Sequence, residues 1–239
     1  MTKFIALVSS KGGVGKTTIA VNLATALMQF GREVVLVDAN LANPNIALHL
    51  GSPKLPATLH DALAGTKHIR EVAYLHPSGL KVIPASLSWQ AHADPEKLHA
   101  TLLELIGTAE LVLMDTATGM GKNTRAALET ADESIIVTTP DLPAVTDAIR
   151  TSMLCEQTGC NILGIIVNRF AARQEELTIP AIEAMLERPV LGVIPEEEMH
   201  RRALALQHPL QYTHPESAAA VEFRKLAARL LGQNYQPKL

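Results

Sequence analysis

The sequence predicts an α/β fold: a single doubly wound, mostly parallel sheet flanked by helices. Three observations carry that prediction. Short, almost continuously apolar runs alternate with longer helical stretches, as strands covered on both faces do. Hydrophobic residues make up 47% of the 239-residue chain and aromatics only 3%, so the core is aliphatic, which suits helices laid on a parallel sheet. A glycine-rich run joins the first apolar segment to the first helical one, where a strand-to-helix turn belongs.

In chain order, "FIALV" (4–8) is the first strand, and residues 16–30 form the first helix, with Gly31 as its C-terminal stop. "EVVLVD" (33–38) is the second strand. Residues 41–79 carry several Pro and Gly and weak periodicity, so they read as a long excursion with short helices such as "TLHDALAG" (58–65). Strands at "LKVIP" (80–84), "ELVLMD" (110–115), "ESIIVTT" (133–139), "ILGIIVN" (162–168) and "PVLGVI" (189–194) follow. Helices are expected at 95–106, 121–130, 143–157, 174–186 and 216–231. The alternation calls for right-handed crossovers. No linker, repeat or low-complexity stretch interrupts the chain, which reads as one domain over residues 1–239, its closing helix at about 216–232.

The net charge of −3 gives no basic excess of the kind that marks a nucleic-acid surface. Cys155 and Cys160 match no zinc or redox spacing and read as reduced thiols. No apolar run reaches the roughly 18 residues of a membrane span, and "FIALV" is too short for a signal peptide's core. The chain is therefore expected to be cytoplasmic. His49, His60, His68, His76, His92 and His99 fall at no ligand spacing and are expected on the surface or in loops. Trp89 sits in a loop-like stretch and is expected to cover a hydrophobic edge. "EEE" (196–198) beside "HRR" (200–202) reads as a solvated helix start.

The chemistry concentrates in "SSKGGVGKTT" (9–18). A Gly-rich loop between a strand and a helix wraps backbone N–H groups around phosphate. Gly12, Gly13 and Gly15 permit the wrap, Lys16 reaches the β and γ phosphates, and the Thr17 hydroxyl coordinates Mg²⁺. The strict G-x-x-x-x-G-K-[ST] pattern is met except that Ser10 stands at the first Gly. An ordinary Gly-rich turn does not need Lys-Thr-Thr at the start of an amphipathic helix.

The second lysine, Lys11, makes K-G-G-V-G-K-T resemble the deviant Walker A motif of the MinD/ParA family of P-loop ATPases. "VDAN" (37–40), "LVLMDTATG" (111–119), "IIVNRF" (165–170) and "GVIPEEE" (192–198) resemble the family's D-x-D segment, Walker B strand with second switch, adenine-contacting strand and base-side loop. "LPATLHDALAG", "GLKVIPAS" and "DPEKL" are similar to the MinD branch, its archaeal members especially. The resemblance covers nearly the whole chain. It implies a cofactor set of ATP and Mg²⁺ and an ATP-state homodimer in which Lys11 touches the partner's nucleotide, as an arginine finger does. It also implies that Gly12, Gly13, Val14, Gly15, Lys16, Thr17 and Thr18 hold the phosphates, that Asn168, Arg169, Pro195 and Glu196 surround the base, and that Thr17, Asp38 and Asp115 hold the metal.

Three departures qualify it. Asn40 stands where the family has the second Asp of D-x-D, which positions or activates the attacking water. Asn cannot act as a general base at neutral pH, so slow hydrolysis is expected. The second switch reads Asp115-Thr116-Ala117-Thr118-Gly119, without the proline of the MinD pattern, and a looser turn is expected there. The last helical pattern carries Ala219, Phe223, Leu226, Ala227, Leu230 and Leu231 on one face. That face reads as packed on the sheet, leaving no separate membrane-targeting helix, although peripheral membrane contact belongs to the family's repertoire. The function expected is a MinD-like switch that positions an unidentified regulatory or cargo protein or the division site. The alternatives are a ParA-type DNA-surface ATPase, a non-hydrolysing dimeric scaffold and, more remotely, a metallocluster carrier.

Overall fold

A computed structural model describes residues 2–88, 91 and 93–236. Strand β1 (Lys3–Ser9) leads into α1 (Lys16–Gln29) and then β2 (Val34–Ala39). The excursion that follows holds α2 (Ile46–His49), α3 (Leu59–Leu63), α4 (Ile69–Val72) and β3 (Tyr74–Leu75). Next come β4 (Lys81–Ile83), a 3-10 turn at Pro95–Lys97, α5 (Leu98–Leu103), β5 (Leu111–Thr118), α6 (Lys122–Thr130) and β6 (Glu133–Thr138). The chain continues through α7 (Leu142–Thr158), β7 (Asn161–Phe170), α8 (Ile179–Leu186), β8 (Val190–Pro195), α9 (Glu198–Ala205), α10 (Leu210–Thr213) and α11 (Ala218–Leu230).

The strands form one sheet in the order β3-β4-β2-β5-β1-β6-β7-β8. Every pairing is parallel except the antiparallel edge pair β3–β4. β1 is central, between β5 and β6, so its carboxyl end opens onto the switch point where ligands of open α/β sheets bind. One aliphatic core layer joins α3, α5, α6, α7 and α8 to the sheet, and the other joins α1, α2, α10 and α11.

Each expected strand forms. Local chemistry explains the differences in the helices. The helix expected from 174 begins at Ile179, where the Thr178 hydroxyl accepts from the Ala181 N–H and Pro180 occupies the first turn. The helix expected over 95–106 begins as a 3-10 turn behind the Asp94 cap and ends at Leu103. The 58–65 segment closes through a reciprocal Thr58–Asp61 capping box. "EEE" does open a helix, α9, behind Glu197.

The second switch is not loosened by its missing proline. β5 continues through Thr118, which pairs with Ser9. The Thr116 hydroxyl donates to the Leu7 carbonyl at 2.8 Å, and the Gly119 N–H donates to the Ser9 carbonyl at 3.2 Å. Ala117, unlike proline, leaves the strand free to extend.

His60, expected on the surface or in a loop, is buried within α3, and His76 lies in a loop as expected but is also buried. The His60 ring accepts the Ser86 N–H, and the His76 Nδ1 accepts the Ser78 N–H. Trp89 and His92 lie outside the described residues. Cys155 and Cys160 are free and buried, and burial pushes the Cys160 thiol up to about 11. The apolar face of α11 packs on α1 and β8, with Ala219, Phe223, Leu226 and Ala227 buried. Among the described residues no helix is long and apolar enough to cross a membrane.

Candidate functional site

The glycine-rich loop lies where the topology places it, between the end of β1 and the start of α1. Positive φ in the loop is confined to Gly13 (79°) and Gly15 (89°), conformations that favour glycine. Ser10 does not need one, so its side chain is tolerated where the motif has glycine. A Cβ on Gly15 would collide with the Asn168 amide. Asn168 is buried and donates to the Val14 carbonyl at 2.7 Å. The loop and the β7 end are thus fitted to each other.

Behind the loop is a buried charge cluster. Lys16 is 6% exposed and its Nζ lies 4.0 Å from Asp115 Oδ1. The Thr17 hydroxyl donates to Asp115 Oδ2 at 2.5 Å. Asp38 and Asp115 are register partners on β2 and β5. Asp38 accepts the backbone N–H groups of Asn45 (2.9 Å), Ile46 (3.0 Å) and Asn40 (3.3 Å). Burial, then the neighbouring Asp115 charge, push Asp38 up to about 8 against those three N–H groups. Burial raises Asp115 as well, opposed by Lys16, the Thr17 hydroxyl and His49.

Asp115 Oδ1 is buried with no hydrogen-bond partner among the described residues. Two adjacent buried carboxylates, one with an orphaned oxygen, beside a hydroxyl and a lysine form a donor set that fits a hard divalent cation at a phosphate. The residues present therefore fit both Mg²⁺ and the phosphates of a nucleotide.

Two clefts flank the loop. One, of about 540 Å³, is lined by Lys11, Gly12, Gly13, Val14, Asp141 and Arg173, among others. The second, of about 520 Å³, is lined by Gly15, Thr18, Asn168, Arg169, Glu196 and His200, among others. Arg173 donates to Glu196 at 2.6 Å, and both residues line both clefts. Pro195 ends β8 and lines neither cleft, whereas the next residue, Glu196, lines both. Arg169 has φ of 58°, uncommon for a non-glycine residue, and follows Asn168 directly. Of the residues expected around a base, Asn168, Arg169 and Glu196 line the same clefts as the loop residues.

Lys11 and Asn40 are both engaged within this chain. Lys11 Nζ lies 2.7 Å from Asp141 Oδ1. Partial burial opposes it, but hydrogen bonds from Lys11, Thr139 and the Ala144 N–H hold Asp141 below the usual carboxylate range. Asn40 is buried, and its amide and carbonyl both bond to the Asn43 backbone.

Sequence reasoning passes over Asp141, Thr151 and Arg173, and places His200 only in a solvated helix start. Asp141 has a local signal, a cap residue two positions before a helical proline. The others have none, because their partners are remote in the chain. The His200 ring, expected in a solvated helix start, packs edge-on against Phe223 at 6.2 Å between centroids. Both its nitrogens are buried without partners among the described residues.

The sequence pattern of the CobQ/CobB/MinD/ParA nucleotide binding domain matches residues 5–210. An uncharacterized ATP-binding protein of Methanocaldococcus jannaschii is 40% identical over 237 residues, which cover 98% of this chain and 90% of the relative. The cell division ATPase MinD of Pyrococcus furiosus superposes with a TM-score of 0.93 at 33% identity, over 97% of this chain and 99% of that one. The septum site-determining protein MinD of Pyrococcus horikoshii, solved with Mg-ADP, gives 0.92 at 34% identity over 96% of each.

Proposed function

The chain belongs to the CobQ/CobB/MinD/ParA nucleotide-binding family, and from that premise we propose an ATP-driven switch of the MinD kind. In this reading residues 1–239 form one P-loop ATPase domain that binds Mg·ATP, pairs with a second copy of itself and separates on hydrolysis. The observation that carries it is the buried Lys16–Asp115–Asp38 cluster behind the glycine loop, with the orphaned Asp115 oxygen at its centre.

The loop amides from Gly12 to Thr18 and the Lys16 ammonium bind the phosphates. Thr17, Asp38 and Asp115 would hold Mg²⁺, which would supply positive charge to offset that of the phosphates. Asn168, Arg169, Pro195 and Glu196 surround the base. Lys11, 37% exposed at the cleft mouth, leaves Asp141 and serves the partner's nucleotide. Asn40 supplies no base, so turnover is slow.

The ATP dimer presents a surface to a regulatory or cargo protein in the cytoplasm or at the membrane periphery. Because the apolar face of α11 is buried against α1 and β8, that face is not offered to a membrane. The cell-division names of the structural relatives support a positioning role over nucleic-acid binding, as does the net charge of −3. A second reading, a non-hydrolysing scaffold, draws on the occupied Asn40 amide.

Light scattering with Mg·ATP, with Mg·ADP and without nucleotide tests the proposal, alongside Lys16→Ala. A dimer that forms only in Mg·ATP and is lost in Lys16→Ala is expected. A dimer present in all three conditions replaces the switch with the scaffold.

A further inference from the structure

The crest of the glycine loop is not held by packing. A side-chain carbon on Gly12 or Gly13 would meet no atom within 4 Å. Besides the Val14 side chain, which is buried in the core, and the Ser9 hydroxyl, which donates to the Lys11 carbonyl at 3.1 Å, polar tethers from distant elements hold the loop. β7 grips Val14 through Asn168. Helix α7 grips two consecutive residues, Lys11 through its cap Asp141 and Ser10 through Thr151. Those two points on α7 lie about 15 Å apart along the helix axis.

The hydroxyl accounting at Thr151 is complete. Thr151 is buried, and its Oγ1 donates its one proton to the Asp147 carbonyl at 3.0 Å. Its lone pairs then accept the Ser10 N–H at 3.0 Å and the Ser10 hydroxyl at 2.7 Å. With Thr151's proton committed to Asp147, Ser10 is the donor in the hydroxyl pair. Ser10 is the one departure from the phosphate-loop pattern. A glycine there could make only one of these two bonds.

We propose that Thr151 is a positioning residue for the phosphate loop: Ser10 and Thr151 form a hydroxyl tether that fixes the loop's entry limb to α7, so that nucleotide affinity depends on α7. The inference rests on the reading of the loop as the nucleotide site. Ordering a glycine-rich limb before the ligand arrives removes part of the entropic cost of binding. Val at 151 keeps the shape but accepts no hydrogen bond, so it leaves two donors of Ser10 unpaired. Ser at 151 keeps both acceptors.

The test titrates a fluorescent ATP analogue with Mg²⁺ into the parent, Thr151→Val, Thr151→Ser, Ser10→Ala and the Ser10→Ala/Thr151→Val pair, and records the nucleotide-free melting temperature of each. The expected affinity losses are about tenfold for Thr151→Val and about threefold for Ser10→Ala. The double variant is expected to be no weaker than Thr151→Val alone, and Thr151→Ser to stay within about twofold of the parent. Parental affinity in both Thr151→Val and Ser10→Ala overturns the tether. So does Thr151→Ser as weak as Thr151→Val, because lost packing then explains the effect. If Thr151→Val does not fold, Ser10→Ala and Thr151→Ser decide alone: a weakened Ser10→Ala beside a parental Thr151→Ser supports the tether, and any other pairing overturns it. A parent that binds no Mg·ATP overturns the nucleotide reading itself, a result distinct from a parent that binds as tightly as its variants.

Discussion

Asn40 clamps Asn43 from both sides: its amide donates to the Asn43 carbonyl at 2.6 Å, and its carbonyl accepts the Asn43 N–H at 3.2 Å. An aspartate can make only the second bond. Its other oxygen would face the Asn43 carbonyl and be repelled. Asn40 thus staples the loop after β2, and in the proposed reading it supplies no base. Asn40→Asp is expected to speed steady-state ATP hydrolysis by about 10²-fold, the lower range for general-base catalysis. It is also expected to cost about 1–2 kcal/mol of nucleotide-free stability. Phosphate release and urea unfolding of the two forms measure these separately. Unchanged turnover with reduced stability would leave only the staple.

Lys11 and Asp141 form a half-exposed pair, worth up to about 1 kcal/mol at such a site. Asp141 also caps α7 through the Ala144 N–H, so Asp141→Ala would mix two effects. Asp141→Asn keeps an acceptor for the cap and removes the charge that holds Lys11 in its own chain. ATP-dependent dimerisation is expected at about fivefold lower protein concentration, with stability changed by less than about 1 kcal/mol. The depressed Asp141 carboxyl sets the acid side. Its stabilising share is present above 3.8 and fades as pH falls through its lower folded value. Sedimentation velocity across a concentration series reads the dimer. A dimerisation midpoint equal to the parent's removes the pair from control of assembly.

The parallel strands are legible because burial on both faces makes runs such as "EVVLVD" almost wholly apolar, and α1 because Gly31 ends it. Tyr74–Leu75 is not legible, since two residues carry no period. The position of the loop is legible because Gly12 to Thr18 are contiguous, and Gly13 and Gly15 take the positive φ that favours glycine. What lies across the fold is not. Asp141 can be read as a cap, but nothing local says that its partner is Lys11, 130 residues away. The Ser10–Thr151 tether spans 141 residues, and Ser10 by itself reads only as a flaw in the motif. Burial of His60 and His76 is hidden for the same reason: their surroundings come from the packing of the long excursion, where periodicity is weak.

The buried carboxylates make ligand-free stability depend on pH. Burial, then Asp115, raise Asp38 from 3.8 to about 8. Between those values the unfolded chain has released the proton while the ligand-free fold retains it. The fold therefore binds more protons, and its stability falls as pH rises through the window. Asp38→Asn removes this titration. Between pH 5 and pH 8 the parent is expected to lose melting temperature relative to Asp38→Asn when both are measured without nucleotide or divalent metal. Parallel melting curves for the two would mean that Asp38 is already ionised in the ligand-free fold.

Two glycines separate the fold from the site. Gly15 has φ of 89°, and a Cβ there runs into the Asn168 amide that holds Val14. Gly15→Ala therefore combines backbone strain with a broken clamp, and a loss of about 2–3 kcal/mol is expected together with loss of nucleotide binding. Gly12 has neither positive φ nor any atom within 4 Å of an added Cβ. Gly12→Ala should leave the ligand-free fold within about 0.5 kcal/mol of the parent. Its methyl group would still stand in the space that the loop leaves open, where a phosphate must approach the backbone N–H groups. Urea unfolding and ATP-analogue titration of both variants give the comparison. If Gly12→Ala is stable and binds like the parent, the open crest of the loop is not where the phosphates sit, and the site must be drawn closer to Lys16 and the buried carboxylates.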